Sequence, residues 1–100
     1  MIHVADAAEL ILLAARASHP DFRLVNGGTG QRSSVRDIAE ALVRRLAPET
    51  RLIFSGKVRE GDPRNLVADV RRLATLGFQP HFDLERGLDT YVEWRRGITA

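Results

Sequence analysis

The chain has 100 residues, 44% of them apolar and 28% charged, with no cysteine and a formal net charge of +2. That length holds one domain at most, so residues 1–100 read as a single domain or a fragment of one. The composition is too apolar for a disordered tail, and the lack of cysteine excludes a disulfide scaffold or a cysteine-based zinc site. The longest apolar run, Ala7 to Ala15, is interrupted by Glu9 and follows Asp6 rather than a basic stretch, so neither a membrane span nor a signal peptide is expected, and a cytoplasmic setting is. The pI near 9.9 does not by itself imply nucleic acid. Of the 15 basic residues all but Lys57 are Arg, and they are interleaved with acids, as in Arg36-Asp37, Arg59-Glu60 and Glu85-Arg86. That pattern reads as a solvated mixed-charge surface, and the six aromatic residues do not alternate with a basic run as a stacking platform would require.

In chain order, Ile2-His3-Val4 reads as a very short leading strand. Asp6, with Glu9 three positions on, reads as a capping box opening a first helix. That helix is apolar almost all round and wants burial on more than one side. Ser18-His19-Pro20-Asp21 should stop it. Arg23–Asn26 reads as a strand, and Gly27-Gly28-Thr29-Gly30 as a glycine turn. Ser34 and Asp37 form a second capping box. It opens the clearest helix in the sequence, with Val35, Ile38, Ala39, Leu42, Val43 and Leu46 at i, i+3, i+4, i+7, i+8 and i+11, closed before Pro48. Arg51–Phe54 reads as another strand, followed by a polar, glycine-punctuated loop over Ser55–Arg64. Asp69 should cap a short helix, Val70–Leu76, ended by Gly77 in left-handed geometry. Asp83 should cap a last helix whose apolar stripe is Leu84, Leu88, Tyr91 and Val92. The expected fold class is therefore α/β, three to four helices with two or three short strands. Strands this short and this few do not make a self-sufficient sheet, which implies missing neighbours: the remainder of a larger protein, or a second copy.

Several segments invite a chemical reading. The loop Asn26–Ser34 lies between a strand and a helix, the arrangement that holds phosphate on free backbone amides. It lacks both the Gly-Lys-Ser/Thr of a Walker loop and the third glycine of a dinucleotide loop, since Ser33 stands there, so a tight strand-to-helix turn accounts for it better. His3, His19 and His81 are not spaced as metal ligands, and no metal site is expected. Ser33, Ser34 and Ser55 have no sequence-visible base, so no catalytic residue is expected either. The segment Lys57-Val58-Arg59-Glu60-Gly61-Asp62-Pro63-Arg64 is more informative. Guanidinium donors beside a carboxylate in a glycine turn suit a ligand carrying both phosphate and vicinal hydroxyls. On spacing alone an ordinary exposed turn with local ion pairs is the favoured reading.

Taken together, His3-Val4-x-Asp6-x-Ala8, Val25-Asn26-x-Gly28-Thr29-Gly30 with Ser34-Val35, Arg59-x-Gly61-Asp62-Pro63, Ala68-Asp69, Leu76-Gly77-Phe78-x-Pro80 and Leu84-Glu85-x-Gly87-Leu88 near Trp94 occur in the order found in the extended short-chain dehydrogenase/reductases. The chain resembles the C-terminal, substrate-binding portion of the NAD-dependent epimerase/dehydratase proteins, UDP-glucose 4-epimerase-like, without their Rossmann core. The resemblance implies a nucleotide-diphosphate sugar as ligand, with Arg59 on its pyrophosphate and Asp62 on its ribose. It also implies that NAD(P) belongs to the parent enzyme and is not bound by this chain. The family's cofactor turn Gly-x-x-Gly-x-x-Gly is absent. Its Tyr-x-x-x-Lys pair is absent too: Tyr91 is followed four residues on by Arg95, whose permanently charged guanidinium does not replace a lysine. The expectation is a portion that does not run hydride chemistry alone. The alternative is a small self-associating or partner-binding module, paired through its first helix.

Overall fold

A computed structural model describes residues 1–17 and 24–99. Four helices form among them, α1 Val4–Arg16, α2 Val35–Leu46, α3 Arg71–Ala74 and α4 Leu84–Thr99. α2 opens as its sequence dictates. The Ser34 hydroxyl accepts the Asp37 N–H, and the Asp37 carboxylate accepts the Ser34 N–H, both at 3.0 Å. α4 is capped by Asp83, whose carboxylate accepts the Arg86 N–H at 2.8 Å. The turn before it is reached through Gly77 at φ +78°, the left-handed conformation expected there. The core is small: Ala41 of α2, Leu73 of α3, Phe78, and Leu88 and Val92 of α4 are buried. Arg45 reinforces the α2–α4 contact, its guanidinium reaching Asp89 at 2.7 Å and also Glu85, while Arg96 donates to the Arg45 carbonyl.

α1 departs from the sequence reading. It begins at Val4, and His3 caps it, Nδ1 accepting the Ala5 N–H. The expected Ile2–Val4 strand is absent. Asp6 does not cap its own helix. It is fully buried, and its two carboxylate oxygens accept the backbone N–H groups of His81 (3.0 Å) and Phe82 (3.1 Å), just ahead of α4. Local sequence favours a cap, but a partner 75 residues away offered two unsatisfied amides, and satisfying them under burial outweighs the cap. α3 is shorter than the expected 70–76, and Asp69 binds the Arg71 N–H and guanidinium beside it. The expected helix stop at 18–21, with His19, lies outside the described residues, as does Arg23.

The larger correction concerns fold class. The expected α/β arrangement is not found: no strand or sheet exists among the described residues. Leu24–Asn26 and Arg51–Phe54 run without helical or ladder pairing. β-branched and aromatic residues favour extended backbone, but a strand exists only when a neighbour receives its N–H and C=O groups. Here no such neighbour is present among the described residues.

The resulting shape is open. The radius of gyration is 16.7 Å, against about 13 Å for a compact 100-residue domain. The accessible surface is 8468 Å², where about 5,700 Å² is expected for a compact monomer of this mass. Asp6 is the sole buried residue of α1, and Val4, Ile11 and Leu12 on that helix stay 77%, 65% and 56% exposed. The demand of α1 for cover on several sides is unmet within the described residues.

Candidate functional site

The loop that carries Arg59 and Asp62 is built around two glycines in left-handed geometry, Gly56 at φ +72° and Gly61 at φ +88°. The Asp62 N–H donates to the Arg59 carbonyl at 3.3 Å, closing a β-turn with Gly61 at its third position, where a positive φ makes glycine the fitting residue. Arg59 and Asp62 therefore stand at the two ends of one four-residue turn, with Cα atoms within about 7 Å by the geometry of such turns. Residues 51–67 are exposed throughout. Among the described residues neither the Arg59 guanidinium nor the Asp62 carboxylate has a side-chain partner, and the local ion pairs an ordinary charged turn would show are absent between 57 and 64. Five N–H donors and a carboxylate acceptor thus stand on exposed residues of one turn.

The loop hangs from the segment just before and inside α2. On its upstream arm, the Arg36 guanidinium lies 4.3 Å from the Phe54 ring centroid. On its downstream arm, Arg32 donates to the Asn65 side-chain carbonyl. Beyond Asn65, Ala68 and Val70 rest on the glycine turn. A Cβ placed on Gly28 would come within 2.8 Å of the Ala68 Cβ, and one on Gly30 (φ +72°) within 2.9 Å of Val70 Cγ2. Arg72 closes the contact by donating to the Leu24 carbonyl at 3.2 Å. The sequence shows glycines here and a charged loop there; that they touch depends on the tertiary structure.

The glycine turn is not a phosphate cradle. The Ser34–Asp37 capping box already takes the Ser34 and Asp37 N–H groups at the start of α2, and the Gln31 N–H is taken by the Thr29 hydroxyl. Ser34 also holds the Asp37 carboxyl below its ordinary range, chiefly through the backbone N–H and then the hydroxyl, so an anionic side chain occupies the place an anionic ligand would need. With no Gly-x-x-Gly-x-x-Gly turn either, the residues present do not fit a dinucleotide. Tyr91 stacks at an angle on Trp94, ring centroids 5.7 Å apart, while Lys57 stands on the exposed loop.

Of the histidines, His3 is a structural group. Its ring stacks on Phe82 at 3.8 Å, Nδ1 caps α1, and Nε2 lies 2.9 Å from the Thr90 hydroxyl, which itself donates to the Gly87 carbonyl. With Nδ1 accepting, the ring hydrogen-bonds through both nitrogens. His81 Nδ1 lies 3.1 Å from Glu9 Oε2 and 3.6 Å from Asp6 Oδ1. Sequence spacing missed this Asp6–Glu9–His81 grouping because only Asp6 and Glu9, at i and i+3 of α1, are close along the chain. Both Asp6 oxygens are engaged by backbone amides, so the group acts as a clasp between α1 and the start of α4.

No protein-family profile matches the chain, and no solved structure matches it. It is similar to a candidate UDP-glucose 4-epimerase of Methanocaldococcus jannaschii, 27% identical over 95 residues that cover 95% of the chain and 30% of that protein. GDP-L-fucose synthase of Escherichia coli is 31% identical over 93 residues, 93% of the chain and 28% of the enzyme. dTDP-L-rhamnose 4-epimerase of Burkholderia thailandensis is 30% identical over 95 residues, 93% of the chain and 26% of the enzyme. Over about 95% of its length the chain's homologues are nucleotide-sugar epimerases and synthases of the NAD-dependent epimerase/dehydratase family. It spans under a third of the length of these relatives, corresponding to their C-terminal portion. The family resemblance read from six motifs in register is thereby established, whereas the α/β architecture attached to it is not what this chain forms by itself. No helix among the described residues is long and apolar enough to cross a membrane.

Proposed function

We propose that this chain is the nucleotide-sugar-binding portion of an NAD-dependent epimerase/dehydratase, with Arg59 gripping the pyrophosphate and Asp62 accepting from the ribose hydroxyls, and that it is not catalytically competent without a cofactor-binding portion. The observation that carries the reading is the Arg59–Asp62 turn. An unpartnered guanidinium and an unpartnered carboxylate are set at opposite ends of one glycine-dependent turn, in a chain aligned over nearly its whole length with proteins named for UDP-, GDP- and dTDP-linked sugars. Arg suits the anionic end because its planar fork donates in pairs to phosphate oxygens. Asp suits the ribose because a carboxylate accepts from two vicinal hydroxyls. NMR titration with UDP-glucose of the wild-type chain, Arg59→Ala and Asp62→Asn tests the assignment. A charge-assisted contact predicts a loss of about 1.5–3 kcal/mol for Arg59→Ala, and a loss well under 1 kcal/mol would remove Arg59 from the site.

A second reading, a self-associating module, is favoured by one observation. Met1, Ile2 and Val4 line an apolar groove with Leu42, Tyr91 and Trp94, of which Val4, Tyr91 and Trp94 are more than two-fifths exposed. Sedimentation velocity across a hundredfold concentration range separates the two. A discrete dimer supports the module, and a monomer at all concentrations argues against it.

A further inference from the structure

We propose that Gly28 is a positioning residue for the Arg59–Asp62 turn: its missing side chain makes the seat on which the downstream arm of that loop rests. The inference deepens the function proposed above and depends on it for its ligand. Residues 51–67 are exposed without interruption, and Ala68 is the first residue of the downstream arm to be partly covered. What lies against it is Gly28, at a distance where a Cβ would stand 2.8 Å from the Ala68 Cβ. Real Cβ atoms do not approach so closely, so any larger residue at 28 must displace the arm. Nearby contacts fix the direction of that displacement. Arg32 holds Asn65 from the same side, Gly30 receives Val70, and Arg36 covers Phe54 on the upstream arm. Both ends of the loop are therefore referenced to one short segment, Gly28–Arg36, and the turn that carries Arg59 and Asp62 is closed on itself by the Asp62 N–H to the Arg59 carbonyl. Shifting the seat moves Arg59 and Asp62 together, with no ligand-contacting atom removed. Phosphate recognition by a guanidinium fork is sensitive to displacements on the order of 1 Å.

The test is a rescue cycle on the whole chain, reading ¹⁵N relaxation of amides 59–65 and the UDP-glucose affinity by NMR titration, with far-UV circular dichroism as the control for helix content. Gly28→Ala is expected to raise the mobility of 59–65 and to weaken UDP-glucose binding at least about fivefold. The double variant Gly28→Ala/Ala68→Gly, which removes the methyl that clashes, is expected to restore both. If Gly28→Ala unfolds the chain, Arg32→Ala and Asn65→Ala serve instead, each loosening 59–65 and the pair together doing no more than either alone. Unchanged mobility and affinity in Gly28→Ala, or a double variant that stays impaired with its helices intact, overturns the proposal. Failure of the underlying function is distinguished by Arg59→Ala. If that variant binds UDP-glucose as wild type does, the ligand assignment falls, while the mobility arm of the cycle still decides the seat.

Discussion

Replacing Asp6 by alanine should damage this chain more than any other exchange of a charged residue. The carboxylate is fully buried and accepts two backbone N–H groups, of His81 and Phe82, at 3.0 and 3.1 Å. Alanine leaves both amides without an acceptor, at about 1–3 kcal/mol each, so the expected loss is about 2–6 kcal/mol. Compact domains hold only about 5–15 kcal/mol in total, and a chain whose apolar core among the described residues is five residues starts low in that range. Asp6→Asn keeps one accepting oxygen and turns an NH₂ toward the other amide, so about half the loss is expected. Urea unfolding followed by circular dichroism gives the magnitude. Hydrogen exchange at the His81 and Phe82 amides locates it, because those two should lose protection first. An Asp6→Ala chain within about 0.5 kcal/mol of wild type, with slow exchange retained at 81 and 82, would show that the carboxylate does not tie α1 to α4.

Other outcomes follow from the same geometry. Ser34→Ala removes the hydroxyl that accepts the Asp37 N–H and should cost about 1 kcal/mol in urea unfolding. Gly77→Ala meets no neighbouring atom but must hold φ at +78°, so a loss of about 1–2 kcal/mol is expected from backbone strain alone. The Arg71 side chain, followed by its backbone N–H, holds the Asp69 carboxyl down at about 2, against an ordinary 3.8. Because the folded value is the lower one, its contribution to stability is complete above the ordinary value and is lost as pH falls from about 4 to about 2. Carboxyl ¹³C shifts should show Asp69 titrating in that window in the folded chain, and Arg71→Ala should return its midpoint toward the ordinary value.

How much of this was legible in advance depended on the range of the interactions concerned. The Ser34–Asp37 box, the Asp83 cap and the left-handed Gly77 could all be read directly, since each is satisfied within three or four residues of itself. The motif order placed Arg59 and Asp62 as the residues to watch, and Gly61 between them marked the turn. Asp6 misled because the same residue type serves a local cap or a distant pair of amides equally well, and only the chain's path to His81 decides which. The Glu9–His81 contact and the seat of Ala68 on Gly28 were invisible for the same reason. Their partners lie dozens of residues apart, and nothing in local spacing encodes that separation.

Sequence alone determined where α2 begins and ends, where α4 begins and which proteins the chain resembles, because capping, periodicity and motif order are local properties that survive removal of the surrounding protein. Tertiary structure decided that Leu24–Asn26 and Arg51–Phe54 form neither helix nor ladder, that Asp6 is a clasp, and that Ala68 of the Arg59–Asp62 loop's downstream arm lies against Gly28. A strand needs a neighbour's hydrogen bonds, and a buried carboxylate needs its particular amides. Both conditions are set by what the chain is folded against, which no stretch of residues specifies by itself.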